Sequence, residues 1–406
     1  MIQLYKEYKD CCGCGACEQI CPHHAISLNA NSEGFIFPQI NTALCTNCGV
    51  CIKTCNFEKA IINTPQKVIA ASWNSWQIKN SASGGLFATM AKYILMNKGI
   101  VYGCSMEKKE KLTPFIRRIK DINEIILLQG SKYVQSFVGE SYIDVRDNLK
   151  KGKIVLYSGT PCQIAGLYGF LQGKSYENLT TIDIICHGVP SAKMFQEYIA
   201  YLENKKHINI HDFKFRTKTK GWGLYYYYYY TNKQGKEKQY INHYTSSIYY
   251  RMFLEGAIYR ESCYNCPFAR KERVADITIG DCWGIEKEYP NLLTENGGVF
   301  DSHKGISLVL LNTSKGYNLF NQLTDIEKKD IALDNIARYN QQLNHPSILP
   351  SYRKAYLQCF KKDGYKALQK LYLKDNKKVL LKENLSKFMP ISLKRIIKSS
   401  LRYKLL

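Results

Sequence analysis

The sequence predicts a chain of mixed α+β and α/β class. A small cysteine-rich domain is followed by a larger mixed-sheet α/β domain and a helical, basic C-terminal tail. Three observations carry this expectation. Two short cysteine runs fall within the first 55 residues. Strand-sized apolar runs then alternate with helical patterns, the rhythm of crossover units in a partly parallel sheet. From Ser351 onward there are sixteen Lys/Arg against three Asp/Glu, more than half of the net charge of +23.

The runs are Cys11-x2-Cys14-x2-Cys17-x3-Cys21-Pro22 and Cys45-x2-Cys48-x2-Cys51-x3-Cys55. Such spacing lets three thiolates of one tight loop grip one face of a 4Fe-4S cube, while the fourth ligates the other cube. The expected sets are therefore Cys11, Cys14, Cys17 and Cys55 on one cluster, and Cys45, Cys48, Cys51 and Cys21 on the second. Zinc would favour two separated CxxC pairs, and a disulfide knot would need a secreted chain. The second run ends Cys55-Asn56 without the proline of the first, which removes a turn stiffener but no ligand. Cys12 lies outside both patterns and reads as a spare thiol. Residues 1–60 are thus expected to form a ferredoxin-type domain with two 4Fe-4S clusters, a carrier of single electrons.

A polar connection around Asn63-Thr64-Pro65 separates this domain from a second one, expected over 66–345. It opens with a strand-like run at 68–73. Ser83-Gly84-Gly85 then precedes Leu86, Phe87, Met90, Ile94 and Leu95 at helical spacing, closed by Gly99. Strands are expected at 100–106, 153–159 and 180–186, and helices at 121–129, 141–150, from Thr160-Pro161, and at 191–203. GSKYVQS (130–136) reads as a loop or short extended segment. FKFRTKT, LYYYYYYT and KQYINHY look like antiparallel hairpin strands, with the six tyrosines at 225–230 alternating between faces. ADITIGD and ISLVLLN supply later strands.

Seven cysteines remain. Cys263-x2-Cys266 can grip a metal or cluster edge, although zinc or a redox pair would read the same. Cys162 stands at the expected start of a helix just beyond a strand, and Cys186 at the end of another strand. If those strands are neighbours, both thiols emerge at the sheet edge where ligands of α/β folds gather. Four thiols could then meet around a third 4Fe-4S cluster.

GTPCQIAGL, DIICHGVPSAKMFQEY, FRTKTKGWG and RESCYNCPFARKERVADITIGDCWG, in this order, resemble the β-subunit family of deazaflavin (coenzyme F420) hydrogenases and dehydrogenases. That family also includes chlorophyll-pigment reductases and sulfite-reductase electron-input modules. The resemblance covers about residues 1–345, with the ferredoxin-type extension in front. It implies a third 4Fe-4S cluster on Cys162, Cys186, Cys263 and Cys266. Cys282 stands where the family usually has an aromatic residue and is read as a substitution near the site. A bound FAD is implied as well, with Ser83, Gly84, Gly85, Ser131, Lys132 and Tyr133 at the flavin or substrate. Read from the residues themselves, Ser83-Gly84-Gly85 at a helix start offers free N–H groups and close backbone approach, although such a segment is more often only a cap. Lys132 and His187 are the catalytic candidates. Lys132 would stabilise an anionic reduced flavin, and His187 would protonate a substrate. His187 could equally bond a cluster sulfide or satisfy a carbonyl, and this structural role is preferred.

The tail is expected over 346–406. After Pro390, Leu393, Ile396, Ile397, Leu401 and Leu405 share one helical face with Lys and Arg around the remainder. Such a helix can lie on an anionic membrane, though more often it packs on its own body or a partner. No export signal and no membrane-spanning run is visible, so a cytoplasmic protein is expected, with peripheral contact at the inner membrane face open through the tail. Expected partners are a redox protein such as ferredoxin, or a hydrogenase/dehydrogenase subunit, and an organic substrate. No zinc-finger, RNP-like or helix-turn-helix pattern supports nucleic acid. The functional expectation is an iron–sulfur flavoprotein oxidoreductase passing electrons between its clusters and an FAD that exchanges hydride with an organic substrate or deazaflavin. The alternatives are an electron-relay β subunit of a larger complex, or a non-catalytic metal-binding or recruitment protein.

Overall fold

Each cysteine run folds as a loop running into one short helix, α1 (Ala16–Ile20) and α2 (Val50–Thr54), and each helix is entered through a left-handed glycine, Gly15 and Gly49. Between them a hairpin of β1 (Ile26–Ala30) and β2 (Ile36–Ile40) pairs in antiparallel register. The structure, a computed structural model, describes residues 2–108 and 110–388.

The second part begins with β3 (Lys67–Trp73), α3 (Leu86–Met96), β4 (Ile100–Lys108), β5 (Leu112–Ile119), α4 (Ile125–Leu128) and α5 (Ser141–Lys150). It continues through β6 (Val155–Gly159), α6 (Pro161–Phe170), β7 (Leu179–Ile184) and α7 (Ala192–Lys206). A separate three-stranded antiparallel sheet follows, β8 (Asn209–Thr217), β9 (Tyr225–Thr231) and β10 (Glu237–His243), then α8 (Ile248–Leu254). The main sheet is completed by β11 (Ile277–Asp281), β12 (Ser307–Leu311) and β13 (Ile326–Asp330), with α9 (Ile285–Glu288), α10 (Ser314–Asn321) and α11 (Leu333–Ala337) around them.

Eight strands lie in the order β13-β3-β12-β11-β7-β6-β4-β5. The centre, β4, β6, β7 and β11, is parallel, and the outer pairs are antiparallel. Both faces are covered because the strands alternate. Ile69, Ala71 and Trp73 pack with α3 and α10 on one side. On the other, Ile100, Tyr102, Val155 and Tyr157 pack against α5 and α6. The expected strands and helices of this part are present; β5 and β13 went unread, and 121–129 is only a 3-10 turn followed by the single turn α4. The tyrosine strand alternates as expected, with Tyr226 and Tyr228 buried and Tyr229 exposed.

After α11 the basic segment forms α12 (Arg353–Asp375) and α13 (Lys377–Phe388). Its first helix belongs to the core: Tyr356, Leu357, Phe360, Tyr365, Leu368 and Tyr372 are buried with α7 and α8. α12 breaks at Gly364 (φ 73°), and the N–H freed at the break donates from Tyr365 to the Glu197 carboxylate of α7 at 2.9 Å. The charged stretch is thus an amphipathic helix whose lysines face outward over an aromatic face. The helix expected after Pro390 lies outside the described residues.

The N-terminal domain docks on α6 through two glycines. A Cβ on Gly166 would stand 2.9 Å from the Cys14 side chain, and one on Gly169 would stand 2.1 Å from the Thr54 carbonyl oxygen. Gly169→Val should therefore destabilise the chain by about 1–3 kcal/mol through overpacking, read as a lowered urea midpoint. It should also expose the 57–66 connection to limited proteolysis.

Candidate iron–sulfur and cofactor site

The first cysteine set is brought together as the spacing required. Burial, with smaller contributions from the neighbouring Cys14 and Cys55, pushes the Cys11 thiol up to about 11 against the opposing charge of Arg260. Cys17 is pushed up by burial and by Cys14, Cys11 and Cys55. Cys21, Cys45, Cys48 and Cys51 line one small cavity of their own. Cys48 is exposed, with Leu44 and Ile52 exposed nearby, so this second set lies at the surface.

The third set also converges. β6 and β7 are adjacent and parallel, so Cys162 at the first turn of α6 and Cys186 just past β7 leave the sheet at the same edge. The Cys263–Cys266 segment is folded against them. Burial, then Cys266 and Cys162, push the Cys263 thiol up to about 12. Cys266 is pushed up to about 12 by burial and Cys162. Burial, Cys263, Cys162 and Cys266 raise Cys186. Cys162 is held at about 7, chiefly because Cys12 donates a hydrogen bond to it. Among the described residues no three His, Cys, Asp or Glu side chains close on a point that would hold a single ion. Buried thiols whose ionised forms are disfavoured suit a cluster, whose irons supply the positive charge.

Two features hold this geometry. At α6, Thr160 and Gln163 form a reciprocal cap, and the Gln163 amide also donates to Ser136 Oγ at 2.9 Å. That bond ties the 131–136 loop to the Cys162 helix. At the CxxC segment, buried Arg273 donates to the Phe268 and Arg270 carbonyls, to Asp183 at 3.1 Å and to the Ile184 carbonyl. The segment is thereby locked to the end of β7, two residues from Cys186.

Beside the third set lies a cavity of about 290 Å3 at the carboxyl ends of β6, β7 and β11. Its volume is at the lower end of the usual ligand-pocket range, ~300–1,000 Å3, and its position follows the rule for α/β sheets. Cys162 and Cys186 are in its wall, as are Ser83, Gly85, Ser131, Lys132, Tyr133 and His187. Gly85 has φ 84° and caps α3, so the first turn of an eleven-residue helix faces the cavity. Gly84 does not line it. It packs into the sheet, where a Cβ would meet the Ala71 carbonyl at 2.3 Å and the Ser307 nitrogen at 2.6 Å.

Lys132 is not a free cation aimed into the cavity. Its Nζ donates to the Leu128 and Gln129 carbonyls, each at 2.9 Å, capping α4, and burial lowers its pKa to about 8. The Tyr133 ring stacks on Phe253 at 4.3 Å. His187 is accessible from the cavity yet surrounded by protein, so desolvation lowers its pKa; its carbonyl accepts from Ser347 Oγ at 2.6 Å. Cys282 is fully buried among Ile285, Leu293 and Phe300, and no other cysteine acts on its titration.

The sequence reading missed four contributors. Trp283 lines the cavity and stacks on Trp222 at 4.6 Å. Asp281 accepts from both Arg216 and Trp222. Arg273 gave no signal beyond one charge in a charged stretch. Cys12, read as spare, is buried, and Cys14 and Cys162 are the neighbours that most raise its thiol.

Two known families match the chain in keeping with these features. Residues 152–338 match the C-terminal family of the coenzyme F420 hydrogenase/dehydrogenase beta subunit. Residues 10–59 match the 4Fe-4S dicluster domain. No curated protein matches. Among solved structures, a chain of the F420-reducing NiFe hydrogenase complex from Methanosarcina barkeri is 16% identical with a TM-score of 0.38, over 76% of this chain and 92% of that one.

Asp183→Ala would leave Arg273 buried without its counter-charge. A loss of about 3–5 kcal/mol is expected, measured by urea unfolding.

Proposed function

Starting from a chain that is an iron–sulfur electron-transfer protein related to the coenzyme F420 hydrogenase/dehydrogenase beta subunit, we propose a flavin-dependent oxidoreductase with a third 4Fe-4S cluster on Cys162, Cys186, Cys263 and Cys266. FAD is the proposed occupant of the adjoining cavity. One observation carries this reading: the third thiol set adjoins both the dicluster domain, whose Cys12 and Gly13 reach the cavity wall, and the cavity itself. Cys14 packs on the helix that begins beside Cys162, and Cys162 and Cys186 are in the cavity wall.

FAD would supply the junction between single electrons and hydride chemistry with an organic substrate or deazaflavin. The chain's own residues would do the rest. Gly85 and the first turn of α3 would hold phosphate or a flavin edge through backbone N–H groups. Lys132, anchored by two carbonyls, would present its charge from the wall rather than by direct reach. His187, held neutral by desolvation, is suited to accept or donate a hydrogen bond at the cavity. The exposed Cys48, with Leu44 and Ile52, marks the surface where a redox partner would meet the second cluster set. Among the described residues no helix is long and apolar enough to cross a membrane.

The decisive experiment is anaerobic purification with iron, sulfide and flavin quantified. About twelve irons and one flavin per chain are expected; about eight irons, or no flavin, would overturn the reading. Cys186→Ser should lower iron toward eight without changing the first two clusters. Lys132→Met should lower the flavin reduction potential and cut turnover about tenfold, checked by spectroelectrochemistry and steady-state rates. A β-subunit role inside a larger complex would show instead as a stable partner on copurification.

A further inference from the structure

Arg260 is among the least exposed charged side chains, at 1%, and its surroundings are unusual for a buried cation. Its Nε donates to the Cys11 carbonyl at 2.8 Å, and Nη1 donates to the Ile36 carbonyl at 2.8 Å and Gln135 Oε1 at 3.4 Å. The guanidinium lies 4.0 Å from the centre of the Phe37 ring. Nη2 is buried and has no hydrogen-bond partner. The buried Arg216 and Arg273 hold Asp281 and Asp183, whereas among the described residues Arg260 has no carboxylate within ion-pair distance. A buried cation without counter-charge is costly, so the setting of this guanidinium suits an anion.

The chemistry of that anion follows from which groups lie around the charge. The guanidinium bonds the Cys11 carbonyl and lies against Gly13, the residue before Cys14, in the first set. On the other side the Arg260 carbonyl accepts from the Cys263 N–H of the third set at 3.0 Å, and its partner Gln135 donates to the Cys12 carbonyl at 3.1 Å and lines the cavity with Cys162. The second set, Cys21, Cys45, Cys48 and Cys51, lines a cavity of its own that Arg260 does not reach. A 4Fe-4S cube with four thiolates is anionic, and one-electron reduction adds a further negative charge. Net charge and hydrogen bonds to the sulfurs are the levers by which a protein sets the potential of such a cluster.

We propose that Arg260 is the shared counter-ion of the first and third cluster sites, raising the reduction potentials of both above that of the surface set. This rests on the reading that Cys162, Cys186, Cys263 and Cys266 hold a cluster. Each reduction takes one electron from an external one-electron donor and makes or breaks no bond to Arg260. The surface set, which lacks this cation, becomes the weaker electron acceptor, so the reduction potential rises inward and draws electrons toward the cavity.

The test is an EPR-monitored redox titration with dithionite of the full anaerobically purified chain and its variants, with iron counted in each. Arg260→Gln should lower two of three cluster potentials. The expected loss is about tenfold in each reduction equilibrium, ~59 mV for a one-electron couple, with the third potential unmoved. Arg260→Lys should restore part of the loss. Gln135→Glu keeps the arginine and sets a carboxylate against it, so it should reproduce the fall even where Arg260→Gln loses iron. No shift in either neutralised variant, or an equal shift in all three clusters, would overturn the proposal. A wild-type chain with about eight irons would instead refute the third cluster itself, and the first cluster alone would then report on Arg260.

Discussion

The close approach of α6 to the N-terminal domain is the constraint on which the site depends. Glycine at 166 and 169 removes the side chains that would hold the domains apart, and the Cys14 side chain and the Thr54 carbonyl fill that space. α6 also begins at the capped turn bearing Cys162. One helix therefore sets the distance between a thiol of the dicluster domain and a thiol at the cavity. Electron transfer falls steeply with distance, so packing at two small residues bears directly on function.

Around that contact, buried charge is used as a fastener. Arg273 directs its donors to the CxxC segment and to the end of β7. Arg260 directs three to backbone and amide oxygens of the N-terminal domain and of the 131–136 loop. Each arginine joins segments far apart in sequence, where a low-dielectric setting makes a satisfied bond strong and an unsatisfied one costly. The same burial raises most of the thiols, because a thiolate there would lose its solvation. The cavity is less polar in its demands. Its wall is built from a helix start, strand ends and a loop, each held by packing elsewhere, so the fold itself sets its shape.

Legibility followed locality. The helix at 86–96 and the buried strands were readable because apolar spacing is set by neighbours a few residues away. The cysteine runs were readable because their ligand geometry is encoded in gaps of two and three residues. β5 was missed because its burial alternates around Pro114 and two arginines, a pattern that a turn would also give. Gly84 was read as a phosphate contact but is needed for strand packing, since glycine signals close approach without saying to what. Lys132 was read as a charge that would stabilise a reduced flavin, while the three carbonyls that hold its Nζ could be seen only once α4 ended beside it.

The sequence alone determined the cluster-binding character of residues 11–55, the alternation of strands and helices, and the basic surplus after Ser351, because each rests on short-range spacing or composition. Only the tertiary structure decided that β6 and β7 are neighbours, that Cys162, Cys186, Cys263 and Cys266 converge, and that α12 is core rather than tail. It alone revealed Arg260 as a buried cation between two cysteine sets. Those facts depend on contacts between segments far apart in the chain, and such contacts leave no periodic trace in a single sequence.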